Sequence, residues 1–327
     1  MESDGSSTTT NPLFSVIIPT YNAAHLVGAT IDSALAQSFP DFEVIVVDDG
    51  STDSTPDVLR SFGEKITVIR QGNQGAEAAR RNGAVHARGE YLALLDHDDL
   101  LLDDALAVYA RIIRSGEMPA LIIARLSRFL DGEPSPGPMP RAADIKVLRY
   151  ANYFGRDRAL AMGCSQLVIR RTVAETTRAL RSKQTAFPYD SSDIFLALGG
   201  AGPCVAILSP TTVAYRFHAN NNSGDLDHMI TTAPRLLDLV RTNDYPGDKH
   251  HRFARYANLG GMQFALLNRS LRARRLDLAG QVVRDSWPML LAAVARKVAL
   301  QLRPKTTPMT IAPTGQPAAA EADSGPG

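Results

Sequence analysis

The amino-acid sequence predicts an α/β fold in which a mostly parallel sheet is flanked by helices and followed by a mainly helical C-terminal region. Continuous apolar runs alternate with segments of helical spacing through the first third of the 327-residue chain. Strands that are covered on both faces have such runs, which are typical of parallel sheets with helical crossovers. Polar clusters follow the ends of four of these runs, and ligands bind at the carboxyl ends of parallel strands.

Each predicted element of this first third has its own signal. Apolar runs rich in β-branched residues predict strands, and apolar residues three or four positions apart predict helices. Pro19 ends the first strand, and Pro56 suits the first turn of a helix because its missing N–H is not needed there. In chain order the elements are strand 14–18, helix 23–37, strand 43–47, a helix from 56, strand 66–69, helix 75–87 and strand 91–95.

The rest of the chain has weaker signals. A Pro- and Gly-rich stretch at 132–140 indicates a loop, and 235–286 is mostly helical in pattern. The Ser- and Thr-rich N-terminus and the Pro-, Ala- and Thr-rich tail lack the apolar residues that a core needs. We therefore expect a disordered N-terminus, two halves of one α/β domain, a helical C-terminal region and a disordered tail, at residues 1–12, 13–130, 131–230, 231–302 and 303–327.

Composition excludes several classes of protein. A formal net charge of +1 gives no global field that would attract nucleic acid. Cys164 and Cys204 match no metal-ligand or redox spacing, which favours a reducing compartment. The N-terminus lacks the apolar run of a secretory signal, and no stretch reaches the roughly 18–20 apolar residues of a spanning helix. We therefore expect a cytoplasmic protein, either free or peripheral at the inner face of the cell membrane.

The most informative stretch places three carboxylates directly after the strand at 91–95. Because strand side chains alternate in direction, Asp96 and Asp98 leave the strand end on the same side. Two ionised groups so close repel each other, and a divalent metal is the usual counter-charge. Mg²⁺ and Mn²⁺ prefer carboxylate oxygens and keep positions free for phosphate oxygens. The stretch indicates a metal–diphosphate site, and an acidic loop that caps the helix beginning near Asp103 is the alternative.

Several short motifs occur in a specific order and spacing. They are Val16-Ile17-Ile18-Pro19-Thr20-Tyr21-Asn22, Val46-Val47-Asp48-Asp49-Gly50-Ser51-Thr52-Asp53, Asn73-Gln74-Gly75, Ala79-Arg80, Gly83, Gly89-Glu90-Tyr91 and Leu95-Asp96-His97-Asp98-Asp99. Together they resemble the inverting nucleotide-sugar glycosyltransferases of family 2, which have the GT-A fold with a Rossmann-like nucleotide-binding sheet. The resemblance is dense from Phe14 to Asp104 and looser to about Ser223. It implies a nucleotide-sugar-binding half at 13–130 and an acceptor-binding half at 131–230.

The resemblance implies a pocket for the nucleotide base and ribose at Thr20, Tyr21 and Asn22. Asp49 would accept a hydrogen bond from the imide N–H of a base, the group that uracil and thymine offer, so a UDP-sugar is the favoured donor. Turn and helix-cap roles are the alternatives for these residues, because Asn and Asp are common in turns and at N-caps.

The same resemblance implies further donor-binding and metal-binding residues. Arg80 would reach the diphosphate or the acidic cluster, since a guanidinium suits both, and an exposed surface arginine is the alternative. Asp96 would bind the ribose or a Mn²⁺ or Mg²⁺ ion, and Asp98 would bind the ion. His97 is a further nucleotide-sugar-binding candidate, and it replaces the small residue that the family commonly has there, so contacts to the ribose or sugar are expected to differ from the family's. Arg81 is a second departure, because the family usually has Asn after the arginine.

A general base and a last ligand are also implied by the resemblance. An inverting transfer needs a group that deprotonates the acceptor hydroxyl, and Asp193 matches the aspartate of the family's Glu-Asp pair. Ser192 replaces the glutamate, Asp190 is a competing carboxylate, and an N-cap role is the alternative for Asp193. His218, in the segment Tyr-Arg-Phe-His at 215–218, would complete metal or phosphate coordination. A ring that is hydrogen-bonded to a backbone carbonyl is the alternative for His218.

The C-terminal region contains an apolar stripe of helical spacing beside several cations. The stripe residues are Trp287, Leu291, Val294, Val298 and Leu302, and the cations are Arg296, Lys297 and Arg303. Such a helix suits an anionic membrane surface. Packing on the catalytic domain or on another subunit is the alternative.

These expectations combine into one function. The protein would be a metal-assisted inverting hexosyltransferase of cell-envelope polysaccharide biosynthesis, with a nucleotide diphosphate sugar as donor and a hydroxyl of a glycan or lipid-linked glycan as acceptor. Nucleic acid is not an expected partner, and the oligomeric state stays open. The rival interpretation is a non-catalytic sugar-nucleotide-binding or scaffold protein of the same fold. A dinucleotide-binding oxidoreductase is disfavoured because no Gly-x-Gly-x-x-Gly turn follows the first strand.

Overall fold

The computed structural model describes residues 11–116, 118–136, 144–158, 160, 163–177, 190–218, 226–242 and 251–312. The strands in that part of the chain are β1 (Phe14–Thr20), β2 (Phe42–Asp48), β3 (Thr67–Arg70), β4 (Tyr91–Leu94), β5 (Leu100–Leu101), β6 (Leu121–Ile123), β7 (Leu126–Leu130), β8 (Ile145–Tyr150), β9 (Leu167–Arg170), β10 (Cys204–Ser209), β11 (Val213–Phe217) and β12 (Met309–Ile311). The α-helices there are α1 (Val27–Leu35), α2 (Thr55–Ser61), α3 (Ala76–His86), α4 (Ala105–Arg114), α5 (Arg171–Thr176), α6 (Asp190–Leu198), α7 (Leu226–Thr242), α8 (Arg252–Arg272) and α9 (Leu276–Gln301). Every element that the sequence predicts for the first third is present.

The larger sheet has nine strands within the described residues, in the order β12-β8-β10-β6-β9-β4-β1-β2-β3. Strand β1 pairs in parallel with β2 and β4, and β2 pairs in parallel with β3, so their carboxyl ends lie at one edge. Beyond β4 the sheet is mixed, because β9 runs antiparallel to β4 and β6. The sheet therefore has the predicted parallel arrangement where the polar motifs follow the strands.

The residues of β1 alternate between two apolar cores, one on each face of the sheet. Val16 is buried in one core, and Ile17 is buried in the other together with Ala79 of α3. Gly83 allows α3 to lie close to this second face, because a Cβ there would be only 2.6 Å from Cγ2 of Ile17. The close packing holds α3, and with it Arg80, against the sheet.

A smaller sheet has three strands in the described residues, in the order β5-β11-β7. Strand β11 pairs in parallel with β7 and antiparallel with β5, where Ala214 lies opposite Leu100. Strand β5 begins immediately after Asp99. This pairing therefore brings the end of β11 beside the acidic loop 96–99.

Helices α7, α8 and α9 form the helical C-terminal region that the sequence predicts, and α8 packs along α9. Within the described ranges, we find no helix with the length and apolarity that a membrane crossing requires.

Residues 303–312 differ from the expectation of a disordered tail. Strand β12 pairs antiparallel with β8 at the edge of the large sheet, and Nη2 of Arg111 donates to the carbonyl oxygen of Ile311 at 3.1 Å. The backbone N–H of Thr306 donates to the carboxylate of Asp157. Burial opposes ionisation of Asp157, but hydrogen bonds from Arg158, Thr306 and other groups hold its pKa well below its usual value. This part of the tail is therefore attached to the α/β domain.

We expect the contact between α8 and α9 to depend on a single glycine. A Cβ at Gly260 would overlap the backbone carbonyl of Met289 in α9, whereas a Cβ at the neighbouring Gly261 would meet nothing within 4 Å. Gly260→Ala should lower the free energy of unfolding by roughly 1–3 kcal/mol, because the helices must move apart. Gly261→Ala should raise it by about 0.5–1 kcal/mol, because alanine favours the helix. Urea denaturation measures both changes, and equal effects at the two positions would contradict the close approach.

Candidate functional site

The loops after β1 and β2 are tied to each other at the carboxyl edge of the sheet. The backbone N–H of Asn22 donates a hydrogen bond to Oγ of Ser51 at 2.9 Å, and Oδ1 of Asn22 accepts one from the N–H of Thr52 at 2.8 Å. Asn22 has a positive φ of 47°, which Asn tolerates better than most residues. Thr20 is buried at the end of β1, and the Tyr21 ring is exposed beside it. The predicted base and ribose residues thus lie together, and their ligand role stays a prediction.

Asp49 holds the loop that leads into α3. Its carboxylate accepts hydrogen bonds from Nε2 of Gln71 at 2.8 Å, from the N–H of Gln74 at 2.9 Å and from the N–H of Gly75 at 2.7 Å. The residue is 2% exposed. A carboxylate has about four lone-pair sites, so this network leaves room for about one more donor. The predicted bond to a nucleotide base would have to use that position.

Gly50 allows this network to form. It has φ of +81°, and a Cβ there would be 2.9 Å from the backbone nitrogen of Asn73. Glycine is the residue that meets both requirements without strain. The Asp-Gly pair of the predicted motif therefore positions the loop 71–75 against the end of β2.

Arg80 and Asp96 form an ion pair in which the arginine is almost fully buried. Nη2 of Arg80 lies 2.5 Å from Oδ1 of Asp96, with Arg80 only 4% exposed. The geometry agrees with the interpretation that Arg80 faces the acidic loop. It does not agree with the alternative of an exposed surface arginine. The pair presents a fixed guanidinium at the edge where β1, β2 and β4 end.

Asp99 is a buried carboxylate that joins the acidic loop to Ser165 and to strand β11. Oδ2 accepts the hydroxyl of Ser165 at 2.5 Å, and Oδ1 accepts the backbone N–H of Arg216 at 3.0 Å. The Ser165 oxygen in turn accepts the N–H of Asp96 at 3.0 Å. Burial raises the pKa of Asp99 well above its ordinary value, and the charges of Asp98 and Asp96 raise it further. Asp99 thus connects the loop after β4 with the turn before β9 and with the end of β11.

Asp98 lies beside His218. Oδ2 of Asp98 and Nε2 of His218 are 2.9 Å apart, and both side chains are largely buried. Arg216 supports this arrangement, because its Nε donates to the main-chain oxygen of Asp98 at 2.9 Å and its Nη1 lies 2.9 Å from Oδ1 of Asp131. The guanidinium of Arg216 also lies over the ring of Phe129. The end of β11 therefore fixes the position of Asp98.

The pair of Asp98 and His218 fits a divalent ion. Two neighbouring ligands of an octahedral ion, each at about 2.1 Å, lie about 3 Å apart, which is close to the observed 2.9 Å between the two side-chain atoms. Carboxylate oxygen and imidazole nitrogen both suit Mn²⁺. Within the part of the chain that the structure describes, no group of three or more His, Cys, Asp or Glu side chains could hold a metal. Phosphate oxygens and water would complete such a site. Asp96, the third predicted ligand, pairs with Arg80 instead of joining this pair.

Other predicted residues have less structural description. The carbonyl oxygen of His97 accepts the hydroxyl of Thr30 at 2.8 Å, which holds the middle of the acidic loop. Helix α6 begins at Asp190. The side chains of Asp190, Ser192 and Asp193 lie outside the described residues, so the general base stays a prediction.

Ser165 and Asp131 support the site through contacts that sequence patterns do not predict. Ser165 is 66 positions from Asp99, and Asp131 is 85 positions from Arg216. Arg216 belongs to the Tyr-Arg-x-His motif, which marks the segment but not the contact partners. Only the pairing of the strands brings these groups together.

Comparisons with known proteins find relatives in sequence and in fold. The family model described as Glycosyl transferase family 2 matches residues 15–175. The putative teichuronic acid biosynthesis glycosyltransferase TuaG of Bacillus subtilis is 44% identical over 99 residues, which are 29% of this chain and 39% of that protein. The chain matches less than half the length of such curated relatives.

Two solved structures have a similar fold. S. aureus TarS in complex with UDP-GlcNAc has a TM-score of 0.63 at 16% identity, over 88% of this chain and 83% of that one. The mannosyltransferase PcManGT from Pyrobaculum calidifontis, in complex with GDP-Man and Mn²⁺, has a TM-score of 0.52 at 17% identity, over 89% and 88% of the two chains. Through residues 15–175 the chain therefore belongs to glycosyl transferase family 2, and its fold is the GT-A fold.

Proposed function

We propose that this protein is a metal-assisted inverting glycosyltransferase that uses a nucleotide diphosphate sugar. The observation that carries the proposal is the placement of two side-chain pairs, Arg80 with Asp96 and Asp98 with His218, at the carboxyl edge of the sheet. This is the edge at which an open α/β sheet binds its ligand. A guanidinium and an ion site side by side suit the two phosphates of such a donor.

A UDP-sugar is the donor that we favour. Asp49 has room for about one further hydrogen-bond donor, and the imide N–H of uracil would supply it. The structural neighbour TarS is in complex with UDP-GlcNAc, which supports this choice, whereas PcManGT is in complex with GDP-Man. The identity of the sugar would depend on the half of the chain beyond 130, where the sequence resemblance is looser.

The transfer follows from the roles of a few residues. Arg80 holds the diphosphate in place, and Asp193 takes the proton of the acceptor hydroxyl as its oxygen attacks the anomeric carbon. The new bond to oxygen forms opposite the breaking bond to the diphosphate, so the configuration of the anomeric carbon inverts. Mn²⁺ or Mg²⁺ held by Asp98 and His218 would neutralise charge that develops on the leaving diphosphate.

A hydroxyl of a glycan or lipid-linked glycan is the acceptor that we favour. TuaG is named for teichuronic acid biosynthesis, which supports a role in assembling a cell-envelope polysaccharide. The spacing of Cys164 and Cys204 favours a reducing compartment, and we place the enzyme in the cytoplasm. Ser192 in the position of the family's glutamate leaves a non-catalytic binding protein as the rival.

Donor binding and transfer together test the proposed function. Thermal unfolding of the full chain with UDP-, GDP- and dTDP-sugars, each with and without Mn²⁺, should show the largest stabilisation for a UDP-sugar with Mn²⁺, because a ligand stabilises the state that binds it. The best donor is then offered a panel of glycan acceptors, and release of the nucleotide diphosphate is measured. Stabilisation by no nucleotide sugar would contradict the donor site. Stabilisation without transfer to any acceptor would favour the rival.

A further inference from the structure

Helix α9 presents a continuous apolar ridge that the described protein does not cover. Seven large apolar side chains, each exposed, define this ridge: Leu276, Val283, Trp287, Leu291, Val294, Val298 and Leu302. At 100° per residue they fall within a stripe about 100° wide. With 26 residues in α9 and about 1.5 Å per residue, the ridge is roughly 39 Å long. Single exposed apolar residues are common, but an aligned row of this length indicates an interaction surface.

The opposite side of α9 already contacts the protein. Leu278, Val282 and Met289 are buried in a core shared with α7 and α8. Leu291 is 60% exposed and Leu302 is 84% exposed on the ridge side. One sequence interpretation is that the stripe packs on the α/β domain. In the described residues the stripe is exposed, so it does not pack there.

A groove beside the ridge widens the apolar surface. It lies between α8 and α9, has a volume of about 490 Å³, and is lined by residues that include Phe253, Tyr256, Pro288 and Leu291. Phe253 is itself exposed, and the guanidinium of Arg252 lies 5.5 Å from the ring centroid of Tyr256. The groove therefore adds aromatic groups and a cation to the same side of the molecule.

The charges around the C-terminal half of the ridge are cationic. No acidic residue occurs between Trp287 and Ala320, whereas Lys297 and Arg303 in this stretch are exposed. Arg284 flanks the other side of the ridge, although Asp285 offsets part of its charge at a distance of 3.5 Å. A second copy of the ridge would present charges of the same sign, whereas an anionic surface would be complementary.

We propose that the ridge of α9 is a docking surface for an anionic lipid bilayer, with the helix lying in the plane of the interface. Apolar side chains would enter the boundary between headgroups and acyl chains, and Lys297 and Arg303 would contact lipid phosphates. Trp287 suits that depth because its ring is apolar with one polar edge. The ridge shares no residue with the donor site proposed above, so this proposal and the proposed function are tested by different variants.

Trp287 is the only tryptophan of the chain, so its fluorescence reports on the ridge alone. Vesicles of phosphatidylcholine mixed with phosphatidylglycerol should shift its emission to the blue, and brominated acyl chains should quench it. Vesicles of phosphatidylcholine alone should bind at least about tenfold more weakly, because each cation near an anionic surface contributes about a factor of five. High salt should weaken binding to the anionic vesicles.

Matched variants test which surface binds. Leu291→Ser combined with Val298→Ser keeps Trp287 as the reporter and should reduce vesicle affinity by about tenfold or more. Lys297→Glu should reduce it severalfold, and Val85→Ser, at a 77% exposed valine of α3, should leave it unchanged. Because these side chains are exposed, thermal unfolding midpoints should stay the same.

Three outcomes would overturn the proposal. If anionic vesicles neither shift nor quench the emission of Trp287, the ridge does not insert into the bilayer. Equal vesicle binding by the double serine variant and the wild type places the contact elsewhere. Self-association that the double serine variant abolishes, without any response to vesicles, assigns the ridge to a second copy of the chain.

Discussion

Asp98→Ala is expected to abolish the Mn²⁺-dependent part of UDP affinity and to slow sugar transfer by about 10²–10³-fold. Oδ2 of Asp98 lies 2.9 Å from Nε2 of His218, and together they would supply the protein's ligands to the ion. Without the carboxylate, a single imidazole is left to hold it. The loop should keep its conformation, because Nε of Arg216 binds the main-chain oxygen of Asp98 and not its side chain.

Titration calorimetry of UDP with and without Mn²⁺ measures the Mn²⁺-dependent part of UDP affinity directly. Asp103→Ala is the matched control, because Asp103 is an exposed carboxylate five positions further along the same acidic stretch. The control should bind UDP as the wild type does in both conditions. Wild-type protein that binds UDP equally well with and without Mn²⁺ would contradict the metal assignment. Retained Mn²⁺ dependence in Asp98→Ala would move the ion to other ligands.

Asp193→Asn is expected to reduce turnover by about 10²–10⁴-fold while donor affinity barely changes. A general base acts on the acceptor hydroxyl in the transition state and contributes little to holding the donor. Asparagine keeps the size of the side chain but does not accept the proton. The alternative of an N-cap role does not apply to Asp193, because α6 begins at Asp190, three positions before it.

Two measurements separate a general base from a donor-binding residue: the rate of nucleotide diphosphate release with a matched acceptor, and the donor affinity. Asp190→Asn is the comparison, because Asp190 is the competing carboxylate at the start of α6. The kcat of Asp190→Asn should stay within a few-fold of the wild type. If turnover falls in Asp190→Asn and not in Asp193→Asn, Asp190 is the base. Donor affinity that falls as far as turnover in Asp193→Asn would assign it to donor binding.

The candidate donor residues could be predicted from the sequence because each follows a strand or begins a helix with a clear apolar pattern. Asp49 follows β2 and Asp96 follows β4, and parallel strands bring their carboxyl ends to one edge. Arg80 lies in α3, whose helical pattern and Gly83 set its distance from the sheet. Chain order alone was therefore enough to place these groups near one another.

The antiparallel part of the sheet and the attached tail could not be predicted in the same way. An apolar run such as β9 indicates a strand but not its direction, which depends on the connections before and after it. The tail segment 303–312 has the composition of a disordered chain. It is nevertheless held through β12, whose backbone pairs with β8 without requiring particular side chains.

The sequence pattern was enough to predict the parallel edge of the sheet, the acidic loop after β4 and the apolar stripe of α9 with its neighbouring cations. In the pattern Asp-His-Asp-Asp the carboxylates look equivalent, and their different contacts emerge only in the folded protein. Asp99 is buried and accepts hydrogen bonds from Ser165 and from the backbone of Arg216. Asp98 lies beside His218, and Asp96 pairs with Arg80. The physical reason is that local periodicity specifies the direction of the backbone, whereas hydrogen-bond partners 66 and 117 positions away meet Asp99 only after β4, β9 and β11 have packed together.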